Sequence, residues 1–269
     1  MTSDREIALN NEILRGVVGS TTHGTAIEGQ DDRDEMGVFI EPPTYVCGLT
    51  PCDHYIYRDQ PEGVRSQPGD LDLTMYSLRR FCRLAAQGNP SVILLLWLPA
   101  HITRTPAGAA LIDMREAFIS KESGQRYLGY LAAQKAKLKG ERSPKVSRPE
   151  LVEKYGYDTK FAMHALRLGL QGIELMTHRR LTLPVAEPDL TTLRAVRSGQ
   201  TGFADALELI EDAEKRLGEL VEACTWVADI DAINRFMVKA HIEYWRSRGL
   251  VSGLPGESPT IAALAGTAH

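Results

Sequence analysis

Cysteine is scarce: four in 269 residues, at Cys47, Cys52, Cys82 and Cys224. Cys47 and Cys52 are five apart, with no Cys-x-x-Cys or histidine cluster beside them, so no zinc site is expected. Buried free thiols are expected instead, and with them a cytoplasmic protein. Positive charge is not in excess either. Lys and Arg total 31 against 35 Asp and Glu, a formal charge of −4. That excludes a histone-like protein and argues against dominant nonspecific DNA binding, which needs a net basic face. Long hydrophobic runs are missing. The longest, 92–100, has nine residues and includes Pro99, far below the ~20 residues of a membrane-spanning helix. The stretch from Met1 to Asn11 is polar, so neither a secretory signal nor a membrane partner is expected.

The remaining bulk properties are ordinary. Hydrophobic residues are 43% and charged residues 25%, which excludes a disordered or collagen-like chain. The length suits one large domain or two small ones. No repeat recurs at a fixed period.

The first hundred residues are mixed. Residues 13–18 read as a buried strand ending at Gly19-Ser20, and 34–40 as a second strand stopped by Glu41-Pro42-Pro43. Segments 54–58 and 71–75 are further short strands. Residues 76–86 have helical spacing, with Leu78, Phe81, Cys82 and Ala85 on one face. Gly88-Asn89-Pro90 ends that helix and starts another, with Asn89 as N-cap and Pro90 in the first helical position. Beyond residue 105 the pattern is helical: 107–119, 125–138, 158–178, 189–196, 202–225 and 230–246. Residues 140–149 interrupt it with Gly, Ser and two prolines. Residues 249–269, rich in Gly, Pro, Ser, Thr and Ala, read as a loose tail.

Chemistry concentrates between Gly19 and Val38, in GSTTHGTAIEGQDDRDEMGV. Gly-Ser after a strand offers backbone N–H groups and a hydroxyl, a cradle for phosphate oxygens. Asp32 and Asp34 stand at i and i+2, which on a strand puts both on one face. Two adjacent carboxylates repel unless a cation sits between them, and Mg²⁺ takes carboxylate and phosphate oxygens. Such a pairing implies phosphoryl or nucleotidyl transfer. Two metals need a third carboxylate. Asp72, with leucine on both sides, is the candidate. Asp70 shares its face but follows Pro68-Gly69 and is expected in the turn. Gly-Ser or Asp-x-Asp alone would be an ordinary turn feature; their combination, in order and on strands, favours a site.

These residues resemble the polymerase-β-like nucleotidyltransferase superfamily, whose signature is Gly-Ser after the first strand, then Asp-x-Asp, then a third acid on a later strand. The opening is similar, more closely, to a family of predicted bacterial and phage nucleotidyltransferases reading roughly Gly-Ser-x-x-Tyr-Gly, Asp-x-Asp, Arg-Gly-Val. The similarity continues through Tyr76-Ser77-Leu78-Arg79-Arg80-Phe81, Gly88-Asn89-Pro90, Gly156-Tyr157-Asp158-x-Lys160, His164-x-x-Arg167 and Asn234, spanning roughly 12–247. It departs at His23, where the family has tyrosine, at Arg33 and Glu35, usually apolar, at Met36, usually arginine, and by one extra residue between Gly24 and the acids.

The resemblance implies an α+β fold, a small mixed-sheet palm followed by a helical C-terminal half. The expected division is a palm over 1–100, a helical domain covering the active site over 101–248, and a flexible tail over 249–269. It further implies that Gly19 and Ser20 bind a triphosphate. Asp32 and Asp34 would ligate Mg²⁺ or Mn²⁺. Asp72 would complete the metal site and accept the acceptor's proton.

Lys160, His164 and Arg167 follow i, i+4, i+7 spacing and line one helical stripe with Gln171. Over the site, that stripe would neutralise an NTP and its pyrophosphate; otherwise it is a solvated face. Residues 135–148 carry Lys135, Lys137, Lys139, Arg142, Lys145 and Arg148 against Glu141. This cluster suits steering of a polyanion such as tRNA, a clamp on the nucleotide, or a mobile solvated loop. Tyr127 and Tyr130 precede it and are candidates for base stacking or for packing. Trp97, Trp226 and Trp245 are assigned to packing. The expected function is transfer of a nucleoside monophosphate from an NTP to an acceptor: an RNA or tRNA 3′ end, a small molecule, or a protein. A nucleotide-binding regulator without catalysis, or an interaction module built on the long helices, are the contrasting classes.

Overall fold

Short apolar runs with β-branched residues make the strands here, and 3.6-residue periodicity makes the helices. A computed structural model describes residues 3–27, 32–61, 64, 66–141 and 148–251. In chain order the elements are α1 (Asp4–Asn10), β1 (Glu12–Val17), α2 (Gly19–His23), β2 (Arg33–Phe39), α3 (Pro43–Val46), β3 (His54–Arg58), β4 (Leu71–Ser77), α4 (Leu78–Ala86) and α5 (Pro90–Ile93). They continue with β5 (Thr103–Arg104), α6 (Pro106–Asp113), α7 (Lys121–Leu138), α8 (Pro149–Tyr155), α9 (Thr159–His178), α10 (Asp189–Arg197), α11 (Phe203–Ala223) and α12 (Ile230–Ser247). The fold is α+β.

The five strands form one mixed sheet in the order β3-β4-β2-β1-β5. β1 runs antiparallel to β2 and β5, β3 antiparallel to β4, and β2 parallel to β4. The parallel pair matters most, because it brings the carboxyl-bearing starts of β2 and β4 side by side. Ser77 ends β4 and caps α4, its Oγ accepting from the Arg80 amide at 3.1 Å. Asn89 caps α5 in the same way, through Ser91 at 3.0 Å. α5 lasts one turn and tightens into a 3₁₀ helix at Leu94–Trp97, which stops at extended Leu98 ahead of Pro99. The helix expected at 107–119 divides: α6 ends at Asp113 with Met114 as its cap, and a 3₁₀ turn, Arg115–Phe118, follows.

One hydrophobic cluster runs from the sheet (Leu14, Val38) through α4 and α7 to α9, α11 and α12 (Leu166, Leu217, Trp245). A smaller one, with Ile7, Phe39, Leu73 and Met75, lies under α1. α7, α9 and α11 pack closely because glycines stand at their crossings. A Cβ on Gly169 would lie 2.7 Å from the Ala213 Cβ, and one on Gly172 2.6 Å from Leu217 Cδ2. α12 returns to the palm. Trp245 Nε1 donates to the Glu41 carbonyl at 2.7 Å, and Tyr244 Oη donates to Asn11 Oδ1 at 3.0 Å. Trp245 is buried as expected, while Trp97 and Trp226 pack at the margin of the core. All four cysteines are free. Cys52 and Cys82 are buried, but Cys47 is exposed on the loop after α3, so burial does not extend to every thiol. Among the described residues, no helix is long and apolar enough to cross a membrane.

Candidate active site

The acids meet through strand register. Asp34 on β2 is the pairing partner of Asp72 on parallel β4, and neighbouring strands lie about 4.8 Å apart. Asp32 stands just before β2, two residues from Asp34 and on the same face. One carboxylate oxygen from each of Asp32, Asp34 and Asp72 lies within 4.8 Å of the others, all partly buried. Alternation sends Glu35 to the opposite face, where it is buried and held by Arg33 Nε and Arg15 Nε, both at 2.6 Å. Arg33 and Glu35, two of the departures from the family pattern, are therefore partners of one another.

Asp70 is occupied in its turn. Its carboxylate accepts from Gln60 Nε2 at 2.8 Å and from the Gln67 amide at 2.7 Å. Asp72 differs. Its Oδ2 accepts from Ser66 Oγ at 3.1 Å, and its Oδ1 is buried with no hydrogen-bond partner among the described residues. A buried carboxylate oxygen without a partner is costly unless a cation takes it up. Three clustered carboxylates, all hard oxygen donors, fit Mg²⁺ or Mn²⁺.

The Gly-Ser turn sits against these acids. Gly19 opens α2 at φ +71°, and a Cβ there would lie 2.1 Å from Asp34 Oδ2. Glycine is required for both reasons: backbone conformation and approach to the carboxylate. The Val18 amide donates to the Asp34 carbonyl at 2.9 Å, fixing the turn to β2. Ser20, half-buried, is the second residue of α2, and its carbonyl accepts from the Thr25 amide at 3.0 Å.

Across a cavity of about 260 Å³, α9 presents His164 and Arg167 toward Gly19, Asp34 and Asp72, with Arg58 and Thr74 alongside. Arg167 Nη1 donates to Gln171 Oε1 at 2.7 Å, and Gln171 Nε2 donates to His23 Nδ1 at 3.2 Å. His23 ends α2, so this chain of bonds ties the α9 cation to the Gly-Ser turn. His23 can accept only while neutral. Burial, then the positive charge of Arg167 and the neighbouring His164, hold it well below the ordinary value of 6.5. Burial does the same for His164, assisted by Arg167, Lys160, Arg148 and Arg197. Burial also lowers Arg167, to about 10, and its Nε has no partner among the described residues. The wall opposite the acids is thus cationic and incompletely paired.

Lys160 does not line this cavity; it sits in the first turn of α9, its amide capped by Asp158 Oδ1 at 3.0 Å. The basic segment also reads differently in space. Lys135 pairs with Glu214, Lys139 pairs with Glu211 at 3.2 Å, and Arg148 pairs with Asp158 at 3.2 Å. Residues 142–147, with Arg142 and Lys145, lie outside the described residues, as do 252–269 of the expected tail. Tyr127 is core, whereas Tyr130 is exposed at the cleft edge. Sequence reasoning missed Arg58 and the His23–Gln171 bond. The only signal for the latter was histidine in place of tyrosine at 23.

A metal-ready acid cluster beside a glycine turn, on a palm-like mixed sheet, defines a polymerase-β-like nucleotidyltransferase. The chain belongs to the RNA repair pathway DNA polymerase beta family (RlaP), whose model matches residues 7–232. It is also similar to a solved structure, a nucleotidyltransferase-like protein from Exiguobacterium sibiricum 255-15. The identity is 12% and the TM-score 0.30, over 91% of this chain and 76% of that one. No curated protein matches the chain.

Proposed function

We propose that the protein transfers a nucleoside monophosphate from an NTP to an acceptor hydroxyl, an RNA 3′ end, and releases pyrophosphate. The carrying observation is that Asp32, Asp34 and Asp72 converge within 4.8 Å of one another, with Asp34 and Asp72 facing His164 and Arg167 across one cavity. The acceptor oxygen bonds to the α-phosphorus, and the bond from that phosphorus to the oxygen bridging the β-phosphate breaks. The acceptor's proton passes to the Asp72 carboxylate.

Asp32, Asp34 and Asp72 would hold two divalent ions, Mg²⁺ or Mn²⁺. When bound, these ions align the acceptor oxygen and offset charge on the transferred phosphate. Gly19 and Ser20 offer first-turn amides and a hydroxyl to the triphosphate. Arg167 and His164 face the phosphates, and a triphosphate would satisfy the free Arg167 Nε. Lys160 and Arg148 add field rather than contact. In this reading the palm, 1–100, carries the acidic wall and the helical part, 101–248, the cationic one. RNA is preferred as acceptor because the family's description names an RNA repair pathway. The four free cysteines suit a reducing, cytoplasmic setting.

The test incubates the protein with each α-labelled NTP, Mg²⁺ or Mn²⁺, and separated cellular RNA, protein and metabolites. Label is expected in RNA with the wild type and absent with Asp32→Ala. Label in protein or metabolites would overturn the RNA acceptor. NTP binding without label in any fraction would overturn catalysis and leave a nucleotide-binding regulator.

A further inference from the structure

The cleft does not end at Arg167. Ser91, Leu94, His164 and Arg167 line the acid-facing cavity and also a second lobe of about 240 Å³, which Tyr130 and Gln134 of α7 close. Tyr130 and Gln134 in turn line a groove of about 490 Å³ along the exposed side of α7, with Arg126, Gly129 and Lys137. The three spaces share side chains in sequence, so they follow one another from the carboxylates to the exposed face of α7.

Arg126, Tyr130, Gln134 and Lys137 stand at i, i+4, i+8 and i+11, one stripe about 16 Å long. The flank of α7 beside this stripe, with Tyr127 and Leu131, is buried. Tyr130 is 37% exposed, and its hydroxyl accepts from Asn89 Nδ2 at 3.4 Å, which steadies the ring at the cleft mouth. Neither Arg126 nor Lys137 forms an ion pair among the described residues, unlike Lys135 and Lys139 nearby. Gly129 lies within this stripe, and a Cβ there would meet nothing within 4 Å. A mid-helix glycine lowers helix propensity. Here the missing side chain leaves the groove open.

Resting on the proposed nucleotidyl transfer, we infer that the α7 groove is the track for a single-stranded RNA acceptor whose 3′ end enters the cleft past Tyr130. Arg126 and Lys137 meet phosphates, Tyr130 stacks on a base, and Gln134 hydrogen-bonds a base edge or sugar. Cations at either end of a groove with an aromatic between them suit a single strand.

Gly129→Leu fills the groove while favouring the helix, so it preserves folding. Binding of a fluorescein-labelled 20-nucleotide single-stranded RNA to the full chain is read by anisotropy across a salt series. Expected are a roughly tenfold weaker Kd for Gly129→Leu and for Tyr130→Ala. For Arg126→Gln with Lys137→Gln, the slope of log K against log salt should flatten by about 1.4. NTP binding by Gly129→Leu should equal the wild type. Unchanged RNA affinity and salt slope in these variants would overturn the track. RNA binding that obeys the predictions without label transfer from NTP would defeat the proposed reaction and leave the track standing. Transfer to metabolites without RNA binding would defeat both the track and the RNA acceptor, and leave only nucleotidyl transfer itself standing.

Discussion

The two walls of the cleft are built by different physics. On the palm, backbone register does the placing: Asp34 and Asp72 are direct partners on adjacent parallel strands, and Asp32 is two residues away. Hydrogen-bonded strands leave such side chains little choice of neighbour. On α9, placing is done by side chains. Arg167 is held by Gln171, and Gln171 by His23, 148 residues distant. The acidic wall is therefore rigid wherever the sheet folds. The cationic wall depends on a polar chain that includes a histidine kept neutral by its surroundings. The lesson is that the first wall should fail in chemistry when altered, and the second in nucleotide affinity and in pH tolerance.

The largest effect should come from the acids. Asp34→Asn and Asp72→Asn are expected to lower transfer at least about 1,000-fold while the circular dichroism spectrum is retained, because the variants would remove the proposed metal ligands and not packing. Gly19→Ala comes next. Its Cβ would strike Asp34 Oδ2 in a left-handed conformation. A loss of about 100-fold in rate and about 1–3 kcal/mol in stability is expected, read by label transfer and urea denaturation. Arg167→Gln should leave the acids in place and raise KM for the NTP about tenfold or more, as expected for a lost charged phosphate contact. If Arg167→Gln lowered kcat alone, the division between the walls would be wrong.

Smaller effects separate the walls by linkage. In metal-free buffer the three carboxylates repel, so Asp72→Asn should match or exceed the wild type in thermal stability. Saturating Mg²⁺ should reverse that order, adding about 2–3 kcal/mol to the wild type alone. The histidines give the pH response. His23 and His164 are both held well below 6.5 in the folded protein, so below that value the unfolded chain binds more protons. Stability is then full above about pH 6.5 and falls as pH drops beneath it, by at most about 1.4 kcal/mol per pH unit per histidine. Urea midpoints at pH 7.5 and 5.5 should show the fall, and His23→Asn should lessen it.

Much of the palm was legible. Strand 54–58 agrees with β3 at both ends, and 34–40 and 71–75 mark β2 and β4 to within two residues. The i, i+2 pattern put Asp32 and Asp34 on one face, and the Pro68-Gly69 turn separated Asp70 from Asp72. The β2–β4 register itself leaves no local trace, since pairing joins residues 38 apart. β5 was missed because two residues carry no periodicity. α1 was missed although Ser3 and Glu6 form a capping box there, a signal present in the sequence. The stripe on α9 was legible as a stripe. Lys160 falls outside the cavity because it sits a turn too near the helix start, at the Asp158 cap. The bond between His23 and Gln171 could not be read, because only packing brings α2 beneath α9.

The central claim is that the acids and α9 share one NTP and its metal. Binding of a non-hydrolysable NTP analogue with and without Mg²⁺ tests it without an acceptor. The wild type should bind at least about tenfold tighter with Mg²⁺, a difference of about 1.4 kcal/mol, and Asp34→Asn should lose that gain. Equal binding by the wild type with and without the metal, or an undiminished gain in Asp34→Asn, would contradict the account.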